Sequence, residues 1–203
     1  MPHPFRPNQY FPMSHSAALP GFHSPAASFE RPHDMLVACH ERVQRSLDLL
    51  GRLVDHIDHH GHDGASRSAA QDVLRYFSLA APLHHQDEEL HLFPALLAQG
   101  EPQLVTAVQR LQQDHATMER LWGEVKTALD QWKEPQATSV PTETERSAIA
   151  AFRAIYPEHI ALEEGTVFPA AFARLGAQAS ALAGQEMQAR RRPTPRPAGA
   201  DTP

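Results

Sequence analysis

The chain of 203 residues has a single cysteine, Cys39, so no internal disulfide can staple it and a reducing compartment is the expected setting. Cys39 stands beside His40, where a buried structural thiol is expected rather than a ligand or nucleophile. No run of about 18 apolar residues occurs, so no membrane-spanning helix is expected. The opening residues carry no apolar core of the secretory type, and the chain reads as cytoplasmic. An excess of positive charge is also missing. The formal net charge is −6, which gives no reason to expect nucleic acid or an anionic membrane as the main partner. Basic residues gather only at Arg190, Arg191, Arg192 and Arg196, in a Pro-rich tail read as solvated. One domain with one sizeable core fits this length.

Histidine, in contrast, is abundant, with 14 residues, and its placement is ordered. His84-His-Gln-Asp-Glu88-Glu-Leu-His-Leu-Phe93-Pro94 is echoed by His159-Ile-Ala-Leu-Glu163-Glu-Gly-Thr-Val-Phe168-Pro169 at an offset of 75 residues. The same offset pairs Phe77 with Phe152, Pro82 with Pro157, Ala95 with Ala170 and His40 with His115. The chain reads as an internal duplication. Residues four apart share one face of a helix. His84 with Glu88, and His159 with Glu163, can therefore each present an imidazole and a carboxylate to one point, as ligands for iron, zinc or manganese.

Residues 1–31 are rich in proline and read as an extended, partly disordered arm, with His3, His15 and His23 solvated. Residues 32–176 read as an all-α, up-down-up-down four-helix bundle, and residues 177–203 as a short helix followed by a disordered basic tail. The first helix, about 32–60, carries the stripe Leu36, His40, Val43, Leu47, Leu50, Val54, Ile57. His40 is its one polar member; His33 lies off the stripe. The helix ends at Gly61 in a cluster of His56, His59, His60 and His62, read as a polar helix end. The second helix, about 66–98, faces inward with Val73, Phe77, Ala80, His84, Glu88 and either His91 or Leu92. The third, about 102–133, has the stripe Leu104, Val108, Leu111, His115, Met118, Trp122, Val125, Leu129, Trp132. The fourth, about 142–175, starts at a Thr142/Glu145 capping box and faces inward with Ala148, Phe152, Ile155, His159, Glu163 and Val167. Pro82 and Pro157 each precede a site histidine by two residues and are expected to kink their helices there.

Height along the bundle supports the helical phase. Antiparallel helices put two residues at one level when both are equally far from the connecting turn. The midpoint of His40 and His84 is 62, that of His84 and His115 falls between 99 and 100, and that of His115 and His159 is 137. All three fall in connecting segments, so the four histidines share one level. Glu88 and Glu163 lie one turn away on the same faces. Four imidazoles and two carboxylates left unpaired in a core would be destabilising, and metal resolves the conflict. His40 and His84 would hold one ion, His115 and His159 a second, with Glu88 and Glu163 bridging; a single ion with the other groups hydrogen-bonded is the leaner alternative. A helical interaction protein, metal-free or zinc-stabilised, is a further reading. His85, Glu89 and Glu164 are rotated about 100° from the ligand face; they are candidates for contacts behind the ligands or for the surface, and are expected to be mostly solvated. Tyr76 and Tyr156 could offer hydrogen bonds near the site, and Phe77, Phe152, Met118 and Trp122 would keep it dry.

These motifs, over about residues 33–175, resemble the hemerythrin-like (HHE cation-binding) family: His40, His84-x-x-x-Glu88 with Phe93-Pro94, His115, and His159-x-x-x-Glu163 with Phe168-Pro169. The resemblance implies a non-haem di-iron centre, with manganese or zinc as other occupants, that meets O2 or a related small molecule. Oxygen-carrying hemerythrins have a fifth histidine one turn after the third-helix one; here that position is Glu119. Glu119 and His91 are therefore additional candidate ligands. The departure favours sensing of oxygen or iron over reversible carriage, with an enzyme acting on O2, peroxide or NO as the alternative. No catalytic residue is assigned, and no protein partner can be named.

Overall fold

The computed structural model describes residues 28–192. The expected arm through residue 27 and the tail from residue 193 lie outside the described residues. Among the described residues every regular element is helical. Helix α1 is Pro32–His60. Helix α2 spans residues 64–97 as a relay of Gly64–Arg75, Tyr76–Ala80, Ala81–Asp87, Glu88–Leu92 and Phe93–Leu97. Helix α3 is Pro102–Trp132. Helix α4 runs through Glu143–Leu162 and Glu163–Val167 into the start of Phe168–Arg190, up to a break at Gly176. The remainder, residues 177–190, is α5. The four long helices pack as a bundle.

The ends obey local chemistry. Pro32 and Pro102 occupy first turns, where a missing N–H costs nothing. The capping box of Thr142 and Glu145 forms. A second box, in which the Asp63 carboxylate accepts from Ser66 N–H and the Ser66 hydroxyl accepts from Asp63 N–H, starts α2 two residues earlier than the stripe suggests. Gly61 ends α1 at φ +74°, and Gly176 breaks α4 from α5 at φ +66°, both in the left-handed region that L side chains avoid.

Three stretches, Tyr76–Ala80, Glu88–Leu92 and Glu163–Val167, are wide π turns. Each is closed by an N–H that bonds five residues back: Ala81 to the Tyr76 carbonyl, Phe93 to Glu88 and Phe168 to Glu163. Each donor immediately precedes a proline, at 82, 94 and 169. A proline ring inside an α-helix collides with the carbonyl four residues back, and widening the turn relieves that contact. The expected distortion at Pro82 thus takes this form. Pro157 instead lies inside an unbroken α-helical segment, and the second wide turn of the site region comes later, at Glu163.

The buried faces match the stripes except where two apolar residues adjoin. Leu53 is buried rather than Val54, Ala81 rather than Ala80, Leu121 rather than Trp122, and Tyr156 rather than Ile155. Steps of three and four both fit a 3.6-residue period, so hydrophobicity alone cannot choose within such pairs. The core falls into two clusters. One is built around Leu50, Phe77, Val125, Trp132 and Phe152; the other around Leu36, Phe93, Leu111, Phe168 and Met187. Between them lies a layer of buried histidine and glutamate.

Helix α5 is tied to α2 by charge. Arg190 and Arg191 donate to Asp87, which is fully buried, and His91 Nε2 donates to Glu186 at 2.6 Å. At Gly184 a Cβ would sit 1.9 Å from the Phe29 carbonyl oxygen, so only glycine permits this approach of α5 to the chain preceding α1.

Candidate metal centre

His40, His84, Glu88, His115, His159 and Glu163 meet in the layer between the two clusters, one histidine from each long helix, with a glutamate from each of α2 and α4. Both glutamates are 0 % exposed. Their donor atoms form two overlapping groups, His40–His84–Glu88–Glu163 and Glu88–His115–His159–Glu163, each with all donors within 4.8 Å of one another. Both carboxylates belong to both groups, which is the arrangement a pair of ions sharing bridging ligands requires.

The contacts are close but not those of a hydrogen-bonded core. His159 Nε2 is 2.9 Å from Glu163 Oε1, His84 Nε2 is 3.1 Å from Glu88 Oε1, and His115 Nε2 is 3.3 Å from Glu88 Oε2. Yet Nε2 of His115 and His159 and all four carboxylate oxygens have no hydrogen-bond partner. Only His40 Nε2 and His84 Nε2, 3.0 Å apart, are aligned as a hydrogen-bonded pair. Buried polar atoms are almost always paired, and each orphan costs about 1–3 kcal/mol. A cluster of orphans that all face one another fits metal ions as the missing partner.

The wide turns at Glu88–Leu92 and Glu163–Val167 open directly at the two glutamates. Such turns widen the helix locally and rotate the residues beyond them. Because Glu88 and Glu163 stand at the start of each turn, the change of phase comes after them and the His-x-x-x-Glu spacing stays helical.

Charges in the layer are unequal. Burial, and then the adjoining Glu163 carboxylate, push the Glu88 carboxyl well above the usual range. Burial also acts to raise Glu163, but the imidazoles of His159 and His40 outweigh it and hold that carboxyl well below the usual range. The two carboxyls are thus pushed in opposite directions. Burial would lower His40, but Glu163 and Glu164 reverse the effect and raise it. Burial depresses His84 and His85 strongly and His115 less, leaving their lone pairs free for coordination.

Behind the layer stand carboxylates whose part spacing alone does not reveal. Glu164 lies 2.7 Å from His40 Nδ1, Glu89 lies 2.8 Å from His115 Nδ1, and Asp114 lies 3.3 Å from His159 Nδ1. Each accepts from an imidazole whose other nitrogen faces the layer, which fixes the tautomer and raises basicity at Nε2. Glu89 and Glu164, expected to be mostly solvated, are about half exposed but reach sideways to a neighbouring helix. Their mutual offset of 75 residues is the signal the sequence holds for them. His84 Nδ1 has no such partner.

The remaining candidates lie elsewhere. Glu119 is exposed at the rim of a cleft of about 350 Å³ that reaches His115. His91 points to Glu186 on α5, away from the layer. His33 sits by the edges of Phe168 and Phe172. Tyr76 Oη donates to the Cys39 carbonyl at 3.3 Å, and Tyr156 packs on Phe77 and Phe152. Among the histidines ending α1, His56 Nε2 lies 3.1 Å from the Asp63 carboxylate, while His59 and His62 donate to the Asp55 and Ser139 carbonyls.

A model of the hemerythrin HHE cation binding domain matches residues 31–171. A protein of Haemophilus influenzae, described only as uncharacterized, is 34% identical over 165 residues, covering 81% of this chain and 92% of that protein. No helix among the described residues is long and apolar enough to cross a membrane. The match spans the first three long helices, α4 through residue 171 and every residue of the buried histidine–glutamate layer, and the chain belongs to the hemerythrin HHE cation-binding family, with a layer suited to a pair of metal ions.

Proposed function

We propose that this chain is a non-haem di-iron protein that binds or senses O2, iron or a related small molecule. The observation that carries this reading is the set of buried, mutually facing donor atoms without hydrogen-bond partners. His40 and His84 would hold one ion, His115 and His159 the other, and Glu88 and Glu163 would bridge. Such a pair of irons supplies redox chemistry and an attachment point for a small ligand. The chain supplies the rest. Glu164, Glu89 and Asp114 orient the imidazoles. Phe93 and Phe168 stack on His115 and His40 and keep bulk water from the layer. The cleft beside His115, floored by Phe77, Met118, Phe152 and Tyr156, offers a small apolar molecule a route inward.

Elemental analysis of purified protein, with absorption spectra before and after air is admitted to the reduced form, tests the proposal. About two irons per chain and new near-ultraviolet charge-transfer absorption on oxidation are expected. No more than trace iron after anaerobic reconstitution would overturn it and return the layer to a structural role, with zinc or with no metal. The same cleft favours a second reading, an enzyme acting on O2, peroxide or NO. Reduced protein that consumes none of the three would exclude that alternative while leaving binding and sensing intact.

A further inference from the structure

A second groove, of about 400 Å³, runs between α1, α2 and α5. It shares no lining residue with the cleft at His115, and the metal layer does not draw on it. Its wall on α2 is apolar, made by Leu79, Leu83 and the ring of Tyr76. Leu79 belongs to the wide turn Tyr76–Ala80 and is 56% exposed. A leucine exposed at the lip of a hollow, rather than alone on a convex face, gives a ligand apolar surface to cover.

The rest of the rim is cationic. Arg42 comes from α1, Arg75 from α2, and Arg190 and Arg191 from α5. Set against them are Asp72 on the rim and, behind it, Asp87 and Glu186, which accept from the two α5 arginines. Four guanidiniums and three carboxylates leave one positive charge in excess, in a chain whose net charge is −6. Arg75 makes a single hydrogen bond among the described residues, from Nη2 to Asp72 at 2.6 Å, and its side chain is 45% exposed. A guanidinium carries five N–H donors in a fixed fork, so Arg75 keeps donors for a second carboxylate. The arm of residues 1–27 contains no Asp or Glu and offers this rim no carboxylate side chain.

We propose that the groove between α1, α2 and α5 binds an aliphatic carboxylate of medium length, with its head group on Arg75 and its chain laid over the Tyr76 ring, Leu79 and Leu83. The single excess charge suits a monoanion. The four residues follow one another along α2, and the rise from 75 to 83 is about 12 Å, which an extended aliphatic chain can span. The carboxylate and the guanidinium fork pair through two parallel hydrogen bonds, while the chain supplies affinity by leaving water. This site stands independently of the metal-binding reading.

Calorimetric titration of the full chain with octanoate, 1-octanol and acetate tests it. Octanoate should bind at a single saturable site. 1-Octanol, which lacks the charge, and acetate, which lacks the chain, should each bind at least about tenfold more weakly. Arg75→Gln should weaken octanoate by about tenfold and leave 1-octanol unchanged, whereas Leu79→Ser should weaken both. Both residues are exposed, so melting temperature and metal content should stay at their wild-type values in the two variants. No saturable octanoate binding would overturn the proposal, as would 1-octanol binding as tight as octanoate. Octanoate binding indifferent to both substitutions would overturn it as well, by placing the carboxylate elsewhere, such as the cleft at His115.

Discussion

Replacing Glu164 by glutamine tests whether the carboxylates behind the layer set metal affinity. The glutamine carbonyl can still accept from His40 Nδ1, so geometry is nearly kept while the charge is lost. The present contact is 2.7 Å, in the range of a charge-assisted bond. Loss of such an outer partner typically weakens metal binding by about 10–100-fold, or about 1.4–2.8 kcal/mol. The Glu164 side chain is 40% exposed, and solvent screens its charge, so the lower end, about tenfold, is expected. Glu89→Gln should match it, since its contact with His115 is 2.8 Å and its exposure 44%. Asp114→Asn should cost less, because 3.3 Å is a weak hydrogen bond. Competition between each variant and a chromophoric chelator for iron(II) or cobalt(II) gives the three affinities. Unchanged affinity in both glutamate variants, or a larger loss in Asp114→Asn than in either, would refute the reasoning.

Other consequences can be checked as directly. Glu88 holds a proton above the usual carboxylate range, and a bridging metal must displace it, so apparent affinity should rise with pH; equal binding enthalpies in buffers of different ionisation heat would contradict this. In the metal-free protein, the depressed His84, His85 and His115 bind protons less readily than the unfolded chain. Their contribution to stability is thus lost as pH falls below about 6.5, opposed by the raised His40 and the raised Glu88, and with three depressed groups set against two raised ones the melting temperature should drop between about pH 7 and about pH 5.5. Gly184→Ala must move α5 or the chain at Phe29 and should cost about 1–3 kcal/mol in chemical denaturation; a neutral effect would mean that α5 is not held there. Asp87→Asn leaves the mostly buried Arg190 and Arg191 without their carboxylate and should cost about 3–5 kcal/mol while both ions still bind, as denaturation and metal analysis on the same sample would show.

Helical phase and equal height are enough to bring His40, His84, Glu88, His115, His159 and Glu163 to one level, because long antiparallel helices joined by short turns leave little freedom in register. Sequence periodicity cannot decide between adjoining apolar residues such as Leu53 and Val54, or Leu121 and Trp122. It also misses the wide turns, which depend on where a proline ring meets a carbonyl one turn back. The supporting carboxylates are only partly legible, for another reason. A side chain rotated 100° from the core face looks solvated on its own helix. Only the neighbouring helix, which sequence does not place in detail, turns Glu89 and Glu164 into partners of His115 and His40. The same neighbour covers His85, whose ring stacks on His115 instead of facing water.

The polar layer divides the apolar interior into two separate clusters, and this bears on how the bundle comes apart. Neither cluster reinforces the other across a plane of ionisable groups unless something binds that plane together. Metal held by residues from all four long helices would weld the two ends into one cooperative unit. With it removed, the end built on Leu36, Phe93 and Phe168, closed by the short α5, can open without the other, and its backbone amides would exchange with solvent sooner than those around Trp132. Metal loss would then be read first as local unfolding at one end of the molecule, the kind of response by which a protein reports its occupancy to whatever contacts that end.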